Sequence, residues 1–140
     1  MFKLHPQLSA DSVAITRLEL CEVRLIRDAN YPWLILVPQR EAIREIHELC
    51  VAEQHLLTDE TSRAAKVLQE LCGAKKMNVA ALGNMVPQLH IHVVARFESD
   101  AAWPGAIWGA APALAYSEDE LARYISELSK AISACTPPTA

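Results

Sequence analysis

The chain has 140 residues, 51% of them hydrophobic, and a net charge of −4 from 13 Lys plus Arg against 17 Asp plus Glu. That composition supplies one real core and excludes general disorder, and no apolar run reaches the roughly 18 to 20 residues of a membrane-spanning helix. Without a five-residue basic cluster to track a phosphate backbone, a nucleic-acid polymer is not an expected partner. The N-terminal stretch MFKLHPQLSADS lacks the apolar segment and small-residue cleavage site of a secretory signal, so a cytoplasmic location is expected. Cys21, Cys50, Cys72 and Cys135 form no C-x-x-C pair and read as reduced thiols.

The first half reads as strands. Val13–Leu18 is followed by Cys21–Arg27, where Cys21, Val23 and Leu25 alternate with Glu22, Arg24 and Arg27, and then by the apolar run Trp33–Val37. Asp28 to Pro32 has turn composition, so these strands predict an antiparallel meander. After Pro38 the period becomes helical, weakly through Ile43, Ile46, Leu49 and Cys50, then clearly through Ala64, Val67, Leu68 and Leu71. For the clear helix, Thr58 is the expected N-cap, Asp59 and Glu60 suit the first turn, and Gly73 suits the C-cap.

Strand pattern returns at Met77–Leu82 and Leu89–Arg96, with Gly83 to Pro87 carrying the reversal between them. The last helix is expected from Ser117, with Glu120 completing a capping box and a stripe of Leu121, Tyr124, Ile125, Leu128 and Ile132. CTPPTA reads as a frayed tail. The prediction is an α+β domain over residues 1–140, with five strands, two or three helices and a core at about 12–134.

The chemistry concentrates in Gln88-Leu-His90-Ile-His92-Val-Val-Ala-Arg96. On a strand, Leu89, Ile91, Val93 and Ala95 share one face, while Gln88, His90 and His92 share the other. Same-face neighbours lie about 6.6 Å apart, close enough for two imidazoles to line one phosphate. One neutral imidazole is a nucleophile near pH 7 and a second can donate or remove a proton, which suffices for covalent phosphoryl or nucleotidyl transfer. Gly83-Asn84 adds a carboxamide and main-chain N–H donors upstream.

Two plainer readings stand beside this one. The H-x-H spacing also fits a partly exposed polar face, or the start of a metal site. A third ligand would come from His5, His47, His55, Asp28 or a cysteine, none at a recognised spacing, and His47 and His55 read as solvated helix positions. Arg96 reads as a solvated strand end, with a phosphate contact as the alternative. Trp103 and Trp108 read as loop packing, or as aromatics that stack on a base or close over a partner's site.

The run Gly83 to Val94 resembles the signature of the histidine-triad (HIT) superfamily, His-φ-His-φ-His-φ-φ after a Gly and an amide residue, with Gln88 in place of the first histidine. Cys21 to Arg40 is similar to the family's early hairpin and its strand ending in Pro and basic residues. Ala102 to Gly109 is similar to the tryptophan-rich segment of a bacterial HIT-like branch. The resemblance implies a five-stranded antiparallel sheet with flanking helices, usually a homodimer, and a nucleotide or nucleotide-conjugate substrate held by its phosphates. It also implies attack by a histidine on the α-phosphate and hydrolysis of the resulting nucleotidyl-histidine, with no cofactor and no metal.

Carried over by position, the resemblance makes His90 the nucleophile, His92 the third histidine near the phosphate and leaving group, and Asn84 the amide contact to phosphate. Asp28 matches the residue that holds the ribose hydroxyls. The departures are Gln88, Met85 where a Ser or Thr commonly contacts phosphate, and Trp33 where many members carry a further histidine. Gln88 can orient a neighbour but cannot relay a proton. The expected function is therefore a HIT-like hydrolase of a nucleotidyl phosphoanhydride, phosphoester or phosphoramidate bond. The alternatives are a catalytically weak nucleotide-binding protein and a metal-dependent enzyme using His90 and His92 as ligands.

Overall fold

The structure, a computed structural model, describes residues 1–135, so the proline-rich end of the expected tail lies outside the described residues. In chain order it has α1 (Pro6–Asp11), β1 (Ser12–Arg17), β2 (Cys21–Ile26), β3 (Trp33–Pro38), a short 3-10 turn (Ile46–Glu48), α2 (Val51–Cys72), β4 (Lys76–Ala80), β5 (Ile91–Arg96) and α3 (Glu118–Ala134). The strands form one five-stranded antiparallel sheet in the order β1-β2-β3-β5-β4. The meander of the first three strands is as the alternation predicts.

The two faces of the sheet carry different burdens. Val23, Leu25, Leu34, Leu36, Ile91 and Val93 point to the face covered by α2 and α3, where they meet Leu68, Leu128 and Ile132 in the main core. Each fully buried side chain of this kind contributes about 1.5 to 3 kcal/mol of transfer free energy. The opposite face packs Ile35 and Val37 against Leu8 of α1, and Val94 against Tyr31 and Ile107. Period-2 alternation therefore sends the odd-numbered residues of β5 into the core and turns His92 to the face that α1 and the segment after β5 only partly cover.

Several boundaries differ from the expectation for physical reasons. α2 starts at Val51 with Cys50 as N-cap rather than at Thr58, because nothing between them breaks a helix; Thr58 lies inside, its hydroxyl donating to the Gln54 carbonyl at 3.2 Å. Glu60 is not a solvated first-turn acid. It is 3% exposed and accepts the Leu20 and Cys21 amides at 2.8 and 2.9 Å, closing the turn before β2. The segment after Pro38 keeps only the 3-10 turn.

β5 begins at Ile91, since the Leu89 amide donates to the Ile43 carbonyl at 2.9 Å outside the ladder. Gly73 closes α2 in the left-handed conformation at φ 67°, and Ser117 caps α3 by accepting from the Glu120 amide, both as the sequence predicts. α1 is the element the alternation does not reveal. Its signal is local: Pro6 opens the helix and His5 Nδ1 accepts from the Gln7 amide as a cap.

Candidate active site

A cavity of about 600 Å³ opens on the less covered face of the sheet, and His90, His92, Asn84 and Asp28 all line it. β5 carries His92, and the turn into β5 carries His90. Both side chains are 6% exposed, with ring centroids 4.9 Å apart and nearly perpendicular. Asn84 is exposed on the loop before them, so its carboxamide is free to meet a ligand. Gln88 belongs to that loop rather than to β5, and its side chain is hydrogen-bonded to the N-terminal segment, at the His5 amide and the Lys3 carbonyl.

The hydrogen bonds fix the roles of the ring nitrogens. His90 Nδ1 lies 2.7 Å from the Gln88 main-chain carbonyl, which only accepts, so Nδ1 carries a proton and, in the neutral ring, Nε2 is the nitrogen with the lone pair. His92 Nδ1 lies 3.0 Å from Trp33 Nε1, which only donates, so Nδ1 accepts and the His92 proton sits on Nε2. Burial, and secondarily the neighbouring His90, lower the His92 pKa to about 4. At neutral pH His92 is therefore an uncharged N–H donor beside His90.

Asp28 is buried, and its Oδ1 accepts from the Asn30 amide at 3.0 Å, the Asn30 carboxamide at 2.9 Å and the Leu114 amide at 3.2 Å. Those three bonds hold the acid at the cavity wall and tie the end of β2 to the segment after β5. Trp108 lines the cavity and packs edge-on to both His92 and Trp33, at 5.2 and 6.3 Å between centroids. Trp103 is elsewhere, over the Arg96 guanidinium at 5.7 Å.

Arg96 is neither a solvated strand end nor a phosphate contact. It is 2% exposed and donates to Asp100, Asn78 and the Gly105 carbonyl, because the turn after β5 folds back over it. The Arg96 guanidinium and two amides hold the Asp100 carboxyl at about 2. Sequence reasoning missed Arg27 and α1, whose Leu8, Ala10 and Asp11 form part of the cavity wall. Among the described residues no three His, Cys, Asp or Glu side chains come together as a metal-holding group, and His47 and His55 are exposed as expected.

A five-stranded antiparallel sheet with two adjacent imidazoles at the start of β5, between β3 and edge strand β4, places the chain among small α+β proteins. The HIT domain model matches residues 7–99, and the chain belongs to that family. It is similar to a histidine triad protein from Bradyrhizobium japonicum, with 45% identity over 94% of this chain and 98% of that one, at a TM-score of 0.92. A histidine triad protein from Marinobacter aquaeolei is 45% identical over 95% of this chain and 97% of its own, also at 0.92. A third, from Sinorhizobium meliloti, is 44% identical over 92% and 96%, at 0.90. No curated protein matches the chain. Family members are generally nucleotide-binding hydrolases or transferases.

Proposed function

We propose that this protein hydrolyses a nucleotidyl phosphoanhydride, phosphoester or phosphoramidate bond through a nucleotidyl-histidine on His90. The observation that carries the reading is the bond from His90 Nδ1 to the Gln88 carbonyl at 2.7 Å, which makes Nε2 the nucleophilic nitrogen of the neutral ring, in a cavity large enough for a nucleotide. Attack by Nε2 on the phosphorus forms a P–N bond and expels the leaving group with its electron pair. The Nδ1–H to carbonyl bond then strengthens, because the ring has become cationic.

His92 Nε2–H and the Asn84 carboxamide donate to the non-bridging oxygens as charge builds on them. Water then attacks the same phosphorus, breaks the P–N bond, and returns neutral His90 with release of a nucleoside monophosphate and a proton. Asp28 faces the ribose hydroxyls. In this reading Gln88 stands at the first position of the triad and contributes its main-chain carbonyl rather than a proton relay. The working form is a homodimer, a proposal supported by edge strand β4, where Val79 is 52% exposed.

The test is turnover of dinucleoside polyphosphates and nucleoside phosphoramidates in chelator, read as nucleoside monophosphate release. Wild-type activity that disappears in His90→Ala, with the far-UV spectrum unchanged, supports the mechanism. Equal turnover in the two proteins overturns it. Nucleotide binding without turnover selects the weak-binder alternative, and activity that chelator abolishes selects the metal-dependent one.

A further inference from the structure

We infer that Trp33 is a positioning residue that holds His92 in the Nε2–H form, so that the two imidazoles meet a substrate as one lone pair and one donor. The inference deepens the proposed function and rests on it for its catalytic meaning. Its structural content stands on the indole alone. Trp33 opens β3 opposite Val94, while Ile35 lies opposite His92, so Trp33 and His92 are diagonal neighbours on one face of the sheet. That register brings Trp33 Nε1 to 3.0 Å from His92 Nδ1, with ring centroids 5.7 Å apart.

An indole N–H has no acceptor capacity, so the partner nitrogen must keep its lone pair. To become an imidazolium, His92 would have to turn Nδ1 into a donor facing another donor. Burial opposes the same charge, so the indole and the packing act in one direction. His90 meets the opposite constraint from a carbonyl at 2.7 Å. Two histidines that differ by two positions are thus fixed as complementary tautomers, each by a neighbour able to play only one role. The other charged groups lining the cavity are Asp11, Arg27 and Asp28. Trp108 supplies the remaining wall of the ring, edge-on at 5.2 Å, and makes no hydrogen bond to it.

Plain packing predicts that any large ring at position 33 would serve equally well. The two ideas separate in proton–nitrogen correlation spectra of histidine-labelled protein, which read the tautomer and titration of each ring directly. In the wild type, His92 shows a protonated Nε2 and an unprotonated Nδ1, and remains neutral at pH 5. In Trp33→Phe, which keeps a ring and removes the donor, the His92 signals move toward a mixture of tautomers and its titration midpoint rises by about one pH unit or more. The proposed function adds that kcat falls at least tenfold in this variant while KM changes little.

If Phe repacks the cavity or the variant fails to fold, benzothienylalanine at position 33 supplies sulfur in place of the N–H with the indole shape kept. His92 spectra identical to wild type in a folded variant overturn the inference and leave Trp33 as packing. The readout needs no substrate, so it separates from failure of the hydrolase reading. A shifted His92 in a protein that turns over nothing sustains the positioning role and removes only its catalytic use.

Discussion

Gln88 Oε1 accepts a 2.8 Å hydrogen bond from the His5 amide, across 83 positions of chain. Gln88 Nε2 completes the link by donating to the Lys3 carbonyl at 2.8 Å. The residue just before the imidazole pair thus staples the N-terminal segment beside the cavity, and α1, whose Leu8 and Ala10 form the wall, follows directly from that staple.

Gln88→Ala removes both bonds and leaves the main-chain carbonyl on His90 in place. Because the staple is partly solvated, the expected loss is about 1 kcal/mol of local stability. Hydrogen exchange at residues 4–11 should accelerate, and KM should rise by about fivefold, the factor that a free-energy change of this size gives. An unchanged exchange pattern would show that the N-terminal segment is held by its apolar contacts alone.

The proposed covalent step makes a chemical prediction. Rapid quenching of a turnover reaction into alkaline denaturant should reveal a fraction of the protein heavier by one nucleotidyl group. The fraction should vanish in His90→Ala. Asn84→Ala keeps the nucleophile but loses a donor to developing phosphate charge, a bond worth about 1.5 to 3 kcal/mol. Its kcat/KM should drop by about 10- to 100-fold with the adduct still detectable, and an adduct that persists without His90 would place the chemistry elsewhere.

Acid stability should fall in two separate windows. His92 has a folded pKa near 4, below its ordinary value of 6.5, so the unfolded chain binds the extra proton first. Its contribution is complete above about pH 6.5 and is lost as the pH falls through about 4. Asp100 has a folded value near 2 against an ordinary 3.8, so its contribution with buried Arg96 survives to about pH 4 and is lost through about 2. A shift of this latter size corresponds to about 2 kcal/mol. Urea titrations at a series of pH values should show His92→Asn flattening the upper window and Asp100→Asn the lower. A single window lost to both variants would mean the two groups are coupled.

What the sequence reveals here follows the range of the interactions. Alternation in Cys21–Ile26 and Ile91–Arg96 announces the strands because one face of each is wholly apolar, and Gly73 and Ser117 announce helix ends because capping is settled within a few residues. The pairing of His90 with His92 is legible for the same reason. The partners of those rings are not. Trp33 reaches His92 across 59 positions and Gln88 reaches His5 across 83, and neither distance leaves a periodic trace. Arg96 and Glu60 mislead because charged residues are read as solvated until a buried partner is known. Asp100 and the amides of Leu20 and Cys21 are such partners.

Glu60 also sets the stability of the turn into β2. Its two carboxylate oxygens take separate amides, Leu20 at 2.8 Å and Cys21 at 2.9 Å, in a buried site. Glu60→Ala leaves two buried N–H groups unpaired and should cost about 3 kcal/mol. Glu60→Gln retains one acceptor and turns an NH₂ toward the other amide, so it should rescue the loss only in part. The Cys21 thiol beside it is pushed up by burial and by the same carboxylate, which keeps it unreactive while exposed Cys50 is open to modification. Thiol labelling under native conditions should therefore reach Cys50 in the wild type and extend to Cys21 in Glu60→Ala as the turn opens. Equal protection of Cys21 in both proteins, with an unchanged urea midpoint, would show that the turn closes without its acid.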